Sequence, residues 1–383
     1  MNLFSMRALL LALLFSCACT AGASTGGEDE QAVGEAVRLY LHGTSFNVQD
    51  DINRAFYVNA RLYLDGQGTS IRELSGPEYA RLFPQEKKAQ FNGRVGRLLS
   101  VDVTGTVATA KAEILMPQQG ARYVDVFLLK KIDGGWKIIS KSAYRESAPR
   151  HARKVLMVVS NAHQYPGTQV STGNNFPELA YTYDAFRKAG YTVDFVSPEG
   201  GAVPLEMINT SDALLKRHLY DRDFMWALAH TRPAADIAAE EYAGIMFAGG
   251  GAAIVGVPEH RQLQNIALRI YEQQGGVLAA ICQGTEGIST LKLKDGRFLV
   301  QGKKVTSFPD AFLNKESPVF KAYPFSVEGS LKRGGGRFAH GANGQGYVAV
   351  DGRLVTGMNW ESSVGVAESM IALLEEKMGV QSP

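Results

Sequence analysis

Between Glu30 and Leu41 the apolar positions Val33, Val37, Tyr40 and Leu41 recur at helical spacing, which predicts a helix. Asp51 to Phe56 reads as a second, shorter helical piece. The period then changes to two. Leu99–Val103 and Val107–Ala112 alternate apolar and polar, with Gly105-Thr106 as the turn between them. Tyr123–Ile132 and Trp136–Ser140 flank Asp133-Gly134, a strong two-residue hairpin signal. Helices followed by an antiparallel meander predict an α+β domain over 28–146, with a curved sheet wrapped around the helices.

The polar, Pro-containing stretch 147–153 reads as a linker, and beyond it the pattern changes. Lys154–Ser160 is a continuous apolar run of the kind buried on both faces of a parallel sheet. Strands are predicted at Tyr191–Ser197, Gly244–Ala248 and Gly276–Ile281. Helices are predicted at Pro177–Ala189 and Arg261–Gln274, and Gly190 closes the first of them. This alternation predicts an α/β doubly wound parallel sheet of flavodoxin-like type over 154–378. Ligands on such sheets collect beyond the C-terminal strand ends. Ser160–His163, Gly249-Gly250-Gly251 and Cys282 all fall there.

The chain has 383 residues, 40 Lys plus Arg against 38 Asp plus Glu, and a net charge of +2. That balance supplies no excess of cations to displace counterions, which argues against a nucleic-acid partner. Residues 1–23 read as a secretion signal: Arg7, the apolar run Ala8–Phe15, then Ala21-Gly22-Ala23 as a cleavage site. The run is too short for a stable membrane span. Leu14-Phe15-Ser16-Cys17 is a loose lipoprotein-type match, and lipidation at Cys17 is the alternative that would bring a membrane in. Either reading exports the protein to the periplasm or beyond. Cleavage at Ala23 also removes Cys17 and Cys19, leaving Cys282 as a single thiol with no internal disulfide partner.

Cys282 follows an apolar strand directly. Gln283-Gly284 make a sharp turn, and Thr285–Leu291 reads as a helix start. Strand, turn and helix in this order form a nucleophile elbow. The helix N-terminus is expected to favour a thiolate there, with the backbone N–H groups of Gly251 and Gln283 as oxyanion donors. His163, His340 and Glu286 are further candidates for the pocket, and His42 for one in the first domain. Scattered histidines without H-x-x-x-H or C-x-x-C spacing give no case for a metal. Gly249-Gly250-Gly251 lacks the spacing of a dinucleotide fingerprint, so no cofactor is expected.

Two resemblances extend this reading. Tyr40-Leu41-His42-Gly43, Phe56–Leu64 and Asp125–Ile138 resemble the nuclear-transport-factor-like cone fold, in its lumazine-binding or SnoaL-like branch. That resemblance implies a small-molecule cone or dimerisation through the sheet, hence a homodimer. Thr172-Gly173 with Glu178, Ala189–Pro198, Ala280–Gly284, Leu299–Phe308 and Val350–Asn359 resemble the ThiJ/PfpI superfamily, related to class I glutamine amidotransferase domains. Within it the chain is similar to the heat-shock chaperone and glyoxalase III branch, whose insertion matches Leu205–Asp236.

The second resemblance implies that Cys282 is the nucleophile, that Glu178 hydrogen-bonds it and gates its protonation, and that Gly250 and Gly251 form the oxyanion-side loop. It also implies a small carbonyl substrate, turned over by glutathione-independent glyoxalase or hydratase chemistry. Members of that branch usually place histidine after the nucleophile and after the Gly pair; here these positions are Gln283 and Ala252. Glutamine cannot act as a general base. The alternative is therefore a non-catalytic chaperone, ligand binder or oxidant sensor, with amidase or peptidase chemistry last.

Overall fold

The computed structural model describes residues 25–66, 70–147 and 154–377. The signal-sequence and lipidation readings, and nearly all of the linker, lie outside those residues. The first domain opens with helices α1 (Thr25–Ser45) and α2 (Gln49–Ala55), strands β1 (Phe56–Asp65) and β2 (Ile71–Ser75), and α3 (Gly76–Ala80). Four long strands follow: β3 (Val95–Thr104), β4 (Val107–Met116), β5 (Ala121–Ile132) and β6 (Gly135–Ser147). They form one six-stranded sheet in the order β2-β1-β6-β5-β4-β3, with β1 parallel to β6 and the other pairs antiparallel.

Both predicted hairpins form, with Thr104 opposite Val107 and Ile132 opposite Gly135. Asp133 and Gly134 have φ of 50° and 78°, the paired left-handed geometry that a tight hairpin requires. The sheet curls around α1, and Val33, Val37, Tyr40, Phe127, Leu129 and Ile138 fill the space between them. The interior of the cone is thus packed. His42 lies outside it, exposed, bonded to Asp51 at 2.7 Å and stacked on Phe46. It borders only an open surface groove.

The second domain starts at β7 (Lys154–Val158). Next come β8 (Asn174–Asn175), α4 (Phe176–Lys188), β9 (Thr192–Ser197), β10 (Leu205–Glu206), α5 (Ala213–Leu219), α6 (Arg222–Ala229) and β11 (Arg232–Pro233). Beyond these lie β12 (Tyr242–Phe247), α7 (Arg261–Leu268), β13 (Val277–Ile281), α8 (Glu286–Ser289), β14 (Lys304–Val305), α9 (Pro318–Ala322) and α10 (Val327–Arg333). The chain closes with β15 (Arg337–Phe338), β16 (Val348–Asp351), β17 (Leu354–Gly357) and α11 (Ser363–Lys377). The main sheet runs β11-β9-β7-β12-β13-β17-β16, parallel except for the β16–β17 pair. Separate apolar clusters cover its two faces, as a doubly wound sheet requires. The fold class is that expected from the sequence: an α+β cone followed by an α/β doubly wound sheet.

The cone docks at the N-terminal ends of the parallel strands, away from Cys282. Glu113 of β4, only 1% exposed, takes Arg97 at 2.9 Å, Arg122 at 2.9 Å and Arg187 of α4 at 3.3 Å. Arg97 also reaches the Val193 carbonyl and the Asp194 carboxylate. From the insertion, Asp223 of α6 accepts from Ser100, and Trp226 packs onto the cone's apolar cluster.

Burial alone would raise the Glu113 carboxyl, but Arg97, then Arg187 and Arg122, outweigh it and hold the group well below the usual carboxylate range. A depressed folded value means that its contribution is complete above the unfolded value of about 4.3 and is lost as pH falls further. Glu113→Gln would leave buried arginines without their counter-charge, which costs about 3 kcal/mol. Thermal unfolding should therefore show a lower midpoint at pH 7 and a weaker loss of stability below about pH 4 than the wild type. Equal midpoints at pH 7 would contradict this account.

Candidate active site

Cys282 stands where β13 ends, with a φ of 53°. A side chain in that left-handed region is strained, and here the strain lifts the sulfur above the sheet edge, as in a nucleophile elbow. The strand stops because neighbouring backbone crowds the turn. A Cβ on Gly284 would lie 2.5 Å from the Ala248 carbonyl oxygen, so only glycine fits. The predicted helix after the thiol is shorter than expected: a 3₁₀ turn over Cys282–Thr285, then the single turn of α8. Ser289 Oγ donates to the Glu286 carbonyl at 3.0 Å, competing with the backbone for that acceptor. One turn brings little helix dipole. The sequence expected the helix to pull the thiol down; burial first, then the Glu178 charge, instead push it up.

Glu178 is wholly buried at the start of α4. Asn175 caps that helix by accepting from the Glu178 N–H at 3.2 Å, which fixes where the carboxyl begins. Its Oε2 accepts the Gly249 N–H at 2.7 Å, and the carboxyl lies within hydrogen-bonding reach of the Cys282 thiol. Gly249 sits between the two groups; a Cβ there would come within 2.6 Å of Glu178 Oε2 and 2.9 Å of Cys282 Cβ. Burial pushes the Glu178 carboxyl up to about 8, against the opposing pull of the Gly249 N–H and the thiol. Near neutrality the pair is protonated on both groups.

The thiol proton points the other way. Cys282 Sγ donates to Gln283 Oε1, and Gln283 Nε2 donates to the Tyr323 hydroxyl at 3.2 Å. Glutamine thus holds the resting thiol by accepting its hydrogen bond, where a histidine could remove the proton altogether. Tyr323 packs against Tyr165 with ring centroids 5.4 Å apart, and burial raises both phenols.

These groups line a cavity of about 320 Å³ between the glycine loop, the segment before α10 and the turn after β17. Cys282, Tyr165, Tyr323, Glu206 and Glu361 contribute its titratable groups. Among the described residues, none of the cone lines it. The expectation of Gly251 and Gln283 as oxyanion donors meets one obstacle. The Gly251 N–H is already bonded to Glu206 Oε1 at 2.9 Å. Gly250, with φ of 94°, keeps its place because a Cβ there would meet the Asn175 nitrogen at 2.4 Å.

Three expected pocket residues lie elsewhere. His163 is exposed on the loop after β7. His340 is exposed, bonded to the Gly341 carbonyl and set against Phe312 and Phe338. Glu286 is buried beneath α8, bonded to Ser289 at 3.0 Å, and burial lifts its carboxyl to about 7. His340 and Glu286 are held by those local partners, and none of the three lines the cavity. Among the described residues no histidine lines the cavity, and no three His, Cys, Asp or Glu side chains gather to hold a metal ion. Nor is any described helix long and apolar enough to cross a membrane.

The sequence reading missed Glu206, Tyr165, Tyr323, Asn359 and Trp360. Asn359 and Trp360 carried a usable signal, since they directly follow a strand of the parallel sheet. Glu206 and Tyr323 carried none.

Comparison with known proteins agrees with this architecture. The lumazine-binding family model matches residues 28–144, and the DJ-1/PfpI family model matches residues 172–373. The chain is 32% identical over 232 residues to glutathione-independent glyoxalase hsp3101 of Schizosaccharomyces pombe, covering 57% of this chain and 94% of that one. It is 30% identical over 235 residues to glutathione-independent glyoxalase HSP31 of Saccharomyces cerevisiae, covering 58% of this chain and 98% of the other. The crystal structure of glyoxalase III from Candida albicans superposes with a TM-score of 0.52 at 26% identity, over 58% of this chain and 98% of that one. A cone of the lumazine-binding, nuclear-transport-factor-like type thus precedes an α/β domain with a strained cysteine at its strand ends, and the chain belongs to the DJ-1/PfpI family.

Proposed function

We propose that the protein converts small 2-oxoaldehydes to 2-hydroxy acids without glutathione, with Cys282 as nucleophile and Glu178 as its proton partner. The observation that carries this reading is the buried Cys282–Glu178 pair on a strained elbow, opening into a cavity sized for a small carbonyl compound. The printed names of the relatives, matched over nearly their whole length, supply the reaction class.

In the first step the sulfur attacks the aldehyde carbon. A C–S bond forms, the carbonyl π pair moves to oxygen, and the thiol's proton ends on that oxygen as the hemithioacetal. The backbone N–H groups of Gly250 and Gln283, both at the cavity wall, are the donors proposed for the oxygen as charge develops. A base then removes the proton from the same carbon, and its electron pair forms an enediol with the neighbouring carbonyl, whose oxygen takes up a proton. Reprotonation at the second carbon leaves a thioester. Water cleaves it, the C–S bond breaks, the sulfur recovers a proton and the hydroxy acid departs. One carbon is oxidised and its neighbour reduced, so no external redox partner is required. Glu178 exchanges protons with the sulfur only, because it does not line the cavity.

A second reading, a binder or oxidant sensor, draws support from Gln283 and from the raised thiol. Purified protein incubated with methylglyoxal or phenylglyoxal separates the two. Glutathione-free formation of lactate or mandelate is expected; adduct formation on Cys282 with no released acid would favour the binder. Export, read from residues 1–23, is part of the proposal and is tested by fractionating cells for the processed chain.

A further inference from the structure

The mechanism above lacks a group for one task, the movement of the carbon-bound proton. The residue beside the nucleophile is Gln283, whose amide cannot take up a proton as an imidazole could. Glu178 lies behind the sulfur, away from the cavity. The two tyrosines facing the cavity are pushed up by burial and remain protonated, so neither is a base for that proton. Two carboxylates remain at the wall, Glu206 and Glu361.

Glu206 is the one held in place. It ends β10, which pairs in parallel with β8 so that Glu206 sits beside Asn175, the cap of the helix that carries Glu178. Its Oε1 accepts from Gly251 at 2.9 Å and its Oε2 from Gly173 at 3.2 Å. Each oxygen keeps a further lone pair. It is half-buried and forms no ion pair among the described residues. The next residue, Met207, holds a φ of 61°, a strained conformation for a side chain of its kind. An unpaired, half-buried carboxylate beside strained backbone is costly to keep for loop support alone, since neutral acceptors would serve the same two N–H groups. Glu361 has no comparable anchoring.

Resting on the reading of the site as a glyoxalase, we infer that Glu206 is the catalytic base that takes the proton from the hemithioacetal carbon and returns it to the adjacent carbon. The proton leaves with no electrons, the C–H pair becomes the C=C bond of the enediol, and the same carboxyl delivers the proton to the second carbon. Glu206 thereby performs, from the insertion, a task that a neighbour of the nucleophile could otherwise perform.

The test compares full-length wild type, Glu206→Gln and Glu206→Asp. Turnover is measured with phenylglyoxal and with phenylglyoxal deuterated at the aldehyde carbon, and Cys282 alkylation by iodoacetamide is measured in parallel. The expected result for Glu206→Gln is a loss of kcat of roughly 10²–10⁴-fold, with KM and the alkylation rate within about threefold of wild type. Its residual turnover should show a larger deuterium effect than the wild type, and Glu206→Asp should recover part of the rate. Turnover within about threefold of wild type would overturn the assignment. So would parallel losses of turnover and alkylation, which would make Glu206 a loop support. If the wild type itself releases no acid, the glyoxalase reading fails first, and that outcome is separate from the other two.

Discussion

The expected result of Cys282→Ser is loss of the proposed acid formation from 2-oxoaldehydes, with turnover falling on the order of 10⁴-fold or more. The serine hydroxyl matches the thiol's place above the sheet but ionises far less readily, and burial at this position opposes ionisation further. The substitution is small, and the Gln283 amide can accept from the hydroxyl as it does from the thiol. Unfolding temperature and circular dichroism should therefore stay close to those of the wild type. A variant that folds normally and still turns over phenylglyoxal would remove Cys282 from the mechanism. A variant that loses turnover yet binds substrate unchanged would show that recognition and chemistry are separable in this cavity.

The second large effect concerns Glu178. Glu178→Gln should lower kcat by roughly 10²–10⁴-fold with little change in KM, because the carboxyl touches the sulfur and not the cavity. Glutamine keeps the acceptor for the Gly249 N–H at the position of Oε2, so the loop stays in register.

Two further readouts separate a proton partner from a structural residue. The first is the pH profile of iodoacetamide alkylation. In the wild type the thiol is raised by burial and by Glu178, so labelling is slow at neutral pH and rises only in more alkaline solution than for a free thiol. Without the carboxylate the thiol loses a repulsive neighbour and its midpoint moves down. The second is stability. The folded value of about 8 lies above the unfolded value of about 4.3, so the contribution of Glu178 is complete below about pH 4 and is lost as pH rises toward 8. Glu178→Gln removes that loss. The variant should unfold at a higher temperature than wild type at pH 8, with the gap closing toward pH 4. A variant less stable than wild type at pH 8, with an unchanged alkylation profile, would make Glu178 an ordinary core residue.

The cone contributes to stability and not to the cavity wall. Its charged contact through Glu113, Arg97 and Arg187 closes on the far ends of the strands, and none of its described side chains lines the cavity. In this arrangement the described residues of the cone neither cover the thiol nor narrow the cavity.

The order of elements was legible in the chain because it depends on neighbours a few residues apart. Period-two alternation marked β3 to β6, continuous apolar runs marked β7, β12 and β13, and Asp133-Gly134 dictated its own turn. Cys282 was legible for the same reason, since an apolar strand running into a Gln-Gly turn specifies an elbow locally. Glu178 was found by resemblance alone, as its spacing says only that a helix begins. The length of α8 was misjudged because Ser289 bonds back to Glu286, a choice that helical spacing does not register. The cavity itself was decided by tertiary structure. Tyr165, Glu206, Cys282, Tyr323 and Trp360 are far apart in sequence and meet because parallel strands deliver their following loops to one edge of the sheet. The same packing sends Glu286, His163 and His340 elsewhere, and it sets the protonation of the Cys282–Glu178 pair. Desolvation depends on everything that surrounds a group, and only the folded chain supplies those surroundings.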